Sequence, residues 1–329
     1  MNRTHANAIR RGFLGIVLAC SGVAVVACTG SRTPLGGDGD GGTTSAGLCT
    51  SEKTSTSHNC GWSYKLVGDF AACGFDEAGV GDPDLCQELC GNDETTCSGR
   101  STAYGNMVYC GEGCAGRRYD GLDEDGVPRA HDVASYLARM AFFEAASIDA
   151  FAILARELRR HDAPHSLVRR CFEARGDEVR HARMAATLAK RRNVKVLVPA
   201  TPAEEERSLE ALAIENATEG CVREAFGVLL GTWQALHAPT AELRAFFAVL
   251  AEDEARHAAL AWRIDGWARA ALDEGANARI DRARDVALDA LAASLLDPPI
   301  DGLGLPSPTD ARTLFAAFVR DLAPAHVAA

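Results

Sequence analysis

Asp253-Glu254-Ala255-Arg256-His257 and its earlier echo, Asp177-Glu178-Val179-Arg180-His181, decide how this chain reads. Each places a glutamate and a histidine three residues apart, which puts both on one face of a helix. Two such pairs are half of a dinuclear metal site in a helical bundle. The other half is one carboxylate from each of two further helices.

The sequence supplies them. Glu144 lies 34 residues before Glu178, and Glu219 lies 35 residues before Glu254. The flanks match as well: in Glu144-Ala-Ala-Ser-Ile-Asp149-Ala-Phe151 and Glu219-Gly-Cys-Val-Arg-Glu224-Ala-Phe226, an acid follows the first glutamate by five and a phenylalanine by seven. The region is a duplicated helix pair, with Glu on the first helix and Asp-Glu-x-Arg-His on the second. Glu215 and Glu224 compete with Glu219 for the third helix. Neither keeps the spacing, and Glu224 has its own equivalent in Asp149, so Glu219 is the expected ligand. Phe151 and Phe226, two turns beyond the glutamates, are placed to wall the site from water.

The constellation resembles the ferritin-like di-iron carboxylate superfamily over about Arg129 to Ala270. The resemblance implies that Glu178 and Glu254 bridge two metals, that Glu144 and Glu219 are terminal ligands, and that His181 and His257 serve one metal each. The extended form Asp-Glu-x-Arg-His resembles the bacterial multicomponent monooxygenases, where the Asp hydrogen-bonds a ligand His. Asp177 and Asp253 would then fix the His tautomers, and Arg180 and Arg256 would bridge helices or balance charge. Four carboxylates and two imidazoles nearly neutralise two divalent ions, and this donor set suits two iron ions, or manganese. Without metal, four acids in a dry bundle core would repel one another.

Helical periodicity runs through His131–Arg160, Ser166–Arg192, a third helix from Thr201-Pro202 to His237, and Ala241–Leu272. Glu204 is placed to complete a capping box for the third. The connection 193–202 must be the long crossover of such a bundle, yet ten residues are short for a span of ~40 Å at ~3.3–3.6 Å per residue. Two more helices follow, about 273–296 and 311–322, the last with Asp310 as its expected cap. The expected fold is all-α: a ferritin-like four-helix bundle at 129–272 with extra C-terminal helices at 273–329.

The N-terminal part reads as export machinery. Arg3, Arg10 and Arg11 precede an apolar run too short for a membrane span, and it ends Val25-Val26-Ala27-Cys28. This resembles a bacterial lipobox, with 1–27 as signal peptide and Cys28 lipidated; Cys20 is a second candidate. Residues 28–48, rich in Gly, Ser and Thr, read as a flexible tether. Cys49, Cys60, Cys73, Cys86, Cys90, Cys97, Cys110 and Cys114 then fall in a segment, 49–128, with little apolar content. In an exported chain they imply a small, irregular, disulfide-stapled module of unassigned pairing rather than a zinc site. Cys171 and Cys221 are left to pair with each other or to stay free.

The chain of 329 residues carries a formal charge of −11, or −14 once the three signal-peptide arginines are gone, which argues against nucleic-acid binding. Glycine-loop, haem-attachment and nucleophile-elbow motifs are absent. The expected protein is a lipid-anchored envelope protein, periplasmic or on the outer membrane, doing redox chemistry with dioxygen or peroxide. An external electron donor and a protein partner of the Cys-rich segment are compatible with it. The alternative is a non-catalytic envelope protein whose metal is structural or absent.

Overall fold

The structure is a computed structural model that describes residues 130–200, 206–295 and 299–322, four strands between Thr50 and Cys110, and scattered single positions between 73 and 127. The expected signal peptide with Cys28, the expected tether, Cys49, Cys60, Cys90, Cys114 and the expected Thr201–Glu204 cap lie outside the described residues.

The strands β1 (Thr50–Lys53), β2 (Trp62–Val67), β3 (Cys97–Thr102) and β4 (Gly105–Cys110) form one antiparallel sheet in the order β1-β2-β4-β3. This corrects the expectation of an irregular segment. Few apolar residues are needed, because Leu66, Phe75, Val108 and the Cys86–Cys97 disulfide are buried with the sheet. Cys73 is also disulfide-bonded, while Cys171 and Cys221 are free and buried.

The helical unit takes in Cys114–Ala287 and Pro298–Val319. The helices among the described residues are α1 (Val133–Arg160), α2 (His165–Lys190), α3 (Leu209–Glu215), a π-helical stretch π1 (Asn216–Glu224), α4 (Ala225–His237), α5 (Ala241–Ala271), α6 (Glu274–Ser294) and α7 (Pro308–Leu322). Segments α3, π1 and α4 run on without a break as the third rod of a ferritin-like four-helix bundle. Asp132 caps α1, accepting from Ser135 N while Ser135 Oγ accepts from Asp132 N. Ser307, one residue before α7, caps that helix in place of the expected Asp310, which instead accepts from the Ser307 hydroxyl. Among the described residues no helix is long and apolar enough to cross a membrane.

Helix direction explains the crossover. Asp177 reaches His257 and His181 reaches Asp253, a pairing that only antiparallel helices give, so α2 and α5 are antiparallel. The third rod is antiparallel to α5, since Asn216 reaches Ala261 and Gly231 lies against Ala251. It therefore runs the same way as α2, and the chain must return along the whole bundle. The third helix starts at Leu209, capped by Ser208, and not after Pro202. The return thus spans residues 191–208, enough extended chain for ~60 Å against the ~39 Å of α2. The apparent shortfall came from starting that helix too early.

The core is layered. One apolar cluster holds Leu137, Met140, Leu188, Phe246, Phe247 and Leu250; another holds Phe151, Leu154, Leu158, Val168, Leu260 and Ile264. Glu144, Glu178, His181, Glu254 and His257 fall between these groups along α1, α2 and α5. Gly304, with φ of +67°, seats its backbone against the Ala238 turn where a Cβ would lie 2.4 Å from Ala238 N.

Arg207 anchors the end of the crossover. Its guanidinium donates to both carboxylate oxygens of Glu157 at 2.6 and 2.7 Å, and also to Glu215. Arg207→Ala strands the buried Glu157 and the largely covered Glu215 and is expected to lower stability by about 3–5 kcal/mol, measured by urea denaturation; a loss under about 1 kcal/mol would show that the clamp is not integral to the fold.

Candidate metal centre

Helices α1, α2, π1 and α5 each bring a buried carboxylate to the layer between the two apolar clusters. In the Asp-Glu-x-Arg-His stretches, the Glu and His face inward and the Asp and Arg face the seam between α2 and α5. Two groups of side chains have ligand atoms within 4.8 Å of one another: Glu144, Glu178, His181 and Glu254, and Glu224, Glu254 and His257. Glu178 Oε2 lies 3.5 Å from His181 Nδ1, and its Oε1 lies 3.1 Å from His257 Nδ1. Glu254 is shared in the same way, with Oε1 3.8 Å from His181 Nδ1 and Oε2 3.6 Å from His257 Nδ1. Glu144 Oε2 stands 3.4 Å from His181 Nδ1. The geometry is two half-sites, Glu144/His181 and Glu224/His257, joined by two glutamates that face both.

On the third rod it is Glu224, not the expected Glu219, whose carboxylate falls within these groups. In an α-helix, residues five apart point about 140° away from each other, so spacing treats these two as exclusive. The π turn brings both inside: Glu219 is 1% exposed and Glu224 3%. Level along the bundle then separates them. Glu219 lies 3.2 Å from Arg223 on its own rod, whereas Glu224 reaches the level of Glu254 and His257. The internal repeat is therefore offset by five residues at this position, and Asp149, aligned with Glu224, is not in the cluster. Glu215 is held by Arg207.

The outer nitrogens of the histidines are tied across the seam. His181 Nε2 lies 2.9 Å from Asp253 Oδ2, and His257 Nε2 lies 3.3 Å from Asp177 Oδ2, so each helix's Asp holds the other helix's His. An ionised Asp accepts only, so each Nε2 carries hydrogen and each Nδ1 lone pair is left for a metal. Arg180 donates to Asp177 at 2.8 Å and also to Asp253; Arg256 donates to Asp177 at 2.9 Å and also to Asp253. These half-exposed arginines cover the aspartates and bridge the two helices. Phe151 closes one side, its ring 5.1 Å from that of His257. Phe226 does not take the matching place; it packs on Phe315 and Phe318 of α7.

Spacing and motif did not single out Arg117. It is 1% exposed, donates through Nε to Glu224 Oε1 at 3.2 Å and through Nη2 to Asn216 Oδ1 at 3.1 Å. It stands before the bundle's first helix, and nothing in the repeat points to it.

The donor atoms fit a metal pair. Glu144 Oε2, both oxygens of Glu178, Glu224 Oε2 and Nδ1 of both histidines are buried without an aligned hydrogen bond. Buried polar atoms are rarely left so, and converging sets of them mark an ion or a reactive centre. The electrostatics agree. Burial and the charge of Glu178 push Glu144 well above the usual carboxylate range. Burial pulls Glu178 the same way, but His181 and His257 hold it below that range. Burial raises Glu224 to about 7 against the pull of Arg117. Burial opposes charge on His181, yet Glu144 and Glu178 prevail and push it up to about 11. His257 is raised likewise, with Glu254, Asp177 and Glu178 outweighing burial. Two cations in this layer would compete with the protons that these shifts favour.

Comparison with family models, with curated proteins and with solved structures finds no match to this chain. The assignment rests on a ferritin-like bundle and two Glu/His clusters consistent with a dinuclear metal site.

Two outcomes are expected. Metal requires neutral imidazole and ionised carboxylate, so binding must release protons from His181, Glu144 and, below about pH 7, Glu224. The apparent affinity for Mn(II) should rise by about tenfold or more per pH unit between about pH 6 and about pH 8, at least one proton leaving per metal. Calorimetry in buffers of different ionisation enthalpy checks this, and pH-independent binding would contradict it. Asp177→Asn and Asp253→Asn should each weaken binding by about 10–100-fold while leaving the helix content intact, as read by metal titration beside circular dichroism.

Proposed function

We propose that this chain is an exported dinuclear metalloprotein, with iron the first candidate and manganese the second, that carries out redox chemistry with dioxygen or peroxide. The observation that carries the reading is the convergence of unsatisfied carboxylate and Nδ1 atoms on one buried layer, with each Nε2 tied to an aspartate. Oxygen and nitrogen donors without thiolate favour iron or manganese over softer ions. A pair of such ions, when bound, supplies the electrons and open coordination positions that oxidant chemistry needs.

The residues of the chain do the rest. Glu178 and Glu254 hold the two half-sites at a fixed separation. Asp177 and Asp253 keep the imidazoles in one tautomer. The apolar layers on either side exclude water and strengthen each electrostatic contact within. Disulfides at Cys86–Cys97 and at Cys73 support an oxidising compartment, in keeping with the lipobox-like Cys28 and an envelope location. The reductant or substrate would come from outside, since the chain has no flavin or iron–sulfur motif.

The test is metal content and optical spectrum of the purified protein, loaded with iron or manganese and exposed to dioxygen and to peroxide. Close to two metals per chain and a spectral change on oxidant, both lost in Glu178→Ala, are expected. Two metals whose spectrum no oxidant alters, with Glu254→Ala lowering only the melting temperature, would make the metal structural. A folded bundle that binds none would overturn the reading.

A further inference from the structure

The two half-sites are not equivalent. Glu144 and Glu224 occupy corresponding places, one beside His181 and one beside His257. Among the described residues no arginine or lysine forms an ion pair with Glu144. Glu224, in contrast, has the fully buried Arg117 guanidinium on its Oε1 at 3.2 Å, which leaves Oε2 to face the site. Arg117 also lies over the Phe151 ring, 5.2 Å from its centroid, and that ring abuts His257. The cation therefore belongs to the His257 side alone.

Arg117 is held firmly. Ser147 of α1 donates to its backbone carbonyl at 2.7 Å. Its neighbour Arg118 lies over the Phe143 ring at 3.7 Å, and Tyr119 donates to Ala200 O at 2.7 Å. The π stretch makes the room. A Cβ on Gly220 would lie 2.3 Å from Arg117 Nη2 and 2.4 Å from Ala261 Cβ, so the guanidinium occupies space that only glycine leaves open. Asn216, at the start of the same stretch, accepts from Arg117 while its amide donates to Ala261 O at 2.9 Å.

We infer that Arg117 is a positioning residue that makes the Glu224/His257 half-site the weaker and more exchangeable of two metal positions, the Glu144/His181 half-site being the tighter. A fixed positive charge beside one ligand carboxylate draws electron density from it, occupies one of its oxygens and repels an incoming dication. Among the described residues no such charge is ion-paired with Glu144 on the other half. A pair of unequal positions lets one ion stay while the other exchanges, as turnover of a metal-ion substrate or docking of a small anion would require.

The inference rests on the dinuclear centre proposed above, and the test separates the two. The full chain is titrated with Mn(II), with free Mn(II) read by electron paramagnetic resonance. Two steps are expected, and Glu224→Gln should remove the weaker while Glu144→Gln removes the tighter. Mutual repulsion of two cations also gives unequal steps, so the deciding variant is Arg117→Gln. It should tighten the second step by about tenfold or more, the scale expected for removing a charge within a few Å of the ion. Arg117→Lys, which keeps the charge, should leave the second step weak. Circular dichroism monitors folding; if Arg117→Gln does not fold, Arg117→Met and the two glutamate variants carry the test. Unequal steps that Arg117→Gln leaves unchanged, or a weaker step lost in Glu144→Gln, would overturn the inference while the metal centre stands. Absence of binding of both Mn(II) and Fe(II) by the folded, unaltered chain would overturn both.

Discussion

The structure depends on a pair of crossed hydrogen bonds, Asp253 to His181 and Asp177 to His257. They join α2 to α5 at the level of the buried carboxylates and present both Nδ1 atoms to the same space. They also require α2 and α5 to be antiparallel. With the short turn from α4 into α5, that direction makes the third rod run parallel to α2. The long return of residues 191–208 follows from it, and so does the ferritin-like connectivity.

A charged layer in a bundle core needs compensation, and here it comes from several sides. Below the Nε2 atoms, Arg180 and Arg256 each reach both aspartates. Burial raises both carboxylates, but His257 with the two arginines holds Asp177, and Arg180 with His181 and Arg256 holds Asp253, below the usual range. At the far edge Arg117 partners Glu224. What remains between the half-sites is a set of oxygens and nitrogens facing one another without partners, flanked by aliphatic and aromatic layers along α1, α2 and α5. Such a layer is costly as it stands, and protons or cations are the two ways to neutralise it. Burial and neighbouring charge favour protons on Glu144 and His181; the donor geometry suits cations.

Much of this was legible in the order of residues. Glu178, His181, Glu254 and His257 declare themselves by three-residue spacing within a repeat, and Glu144 by lying 34 residues before Glu178 with flanks that recur in the second half. Glu224 was hidden because spacing rules assume uninterrupted α-helix. The π turn at Asn216–Glu224 changes which residues share a face, and no residue in it announces a wide turn except, in hindsight, Gly220, whose missing side chain makes room for Arg117. Arg117 itself was hidden for another reason. It contacts a residue 107 positions away, and long-range pairs leave no periodic trace. The sheet went unread because short strands in a Gly-, Asp- and Cys-rich stretch carry little alternation, and their core is partly disulfide sulfur. The start of the third helix was misplaced because Thr201-Pro202 mimics a cap that Ser208 in fact provides.

The most direct test of the metal centre is anomalous diffraction from crystals grown with Mn(II). Two anomalous peaks are expected between Glu178 and Glu254, one beside His181 Nδ1 and Glu144, the other beside His257 Nδ1 and Glu224, with both Nε2 atoms still on their aspartates. A single ion at the surface, ions bound through Nε2 at Asp177 or Asp253, or a second ion held by Glu219 instead of Glu224 would contradict this description of the site.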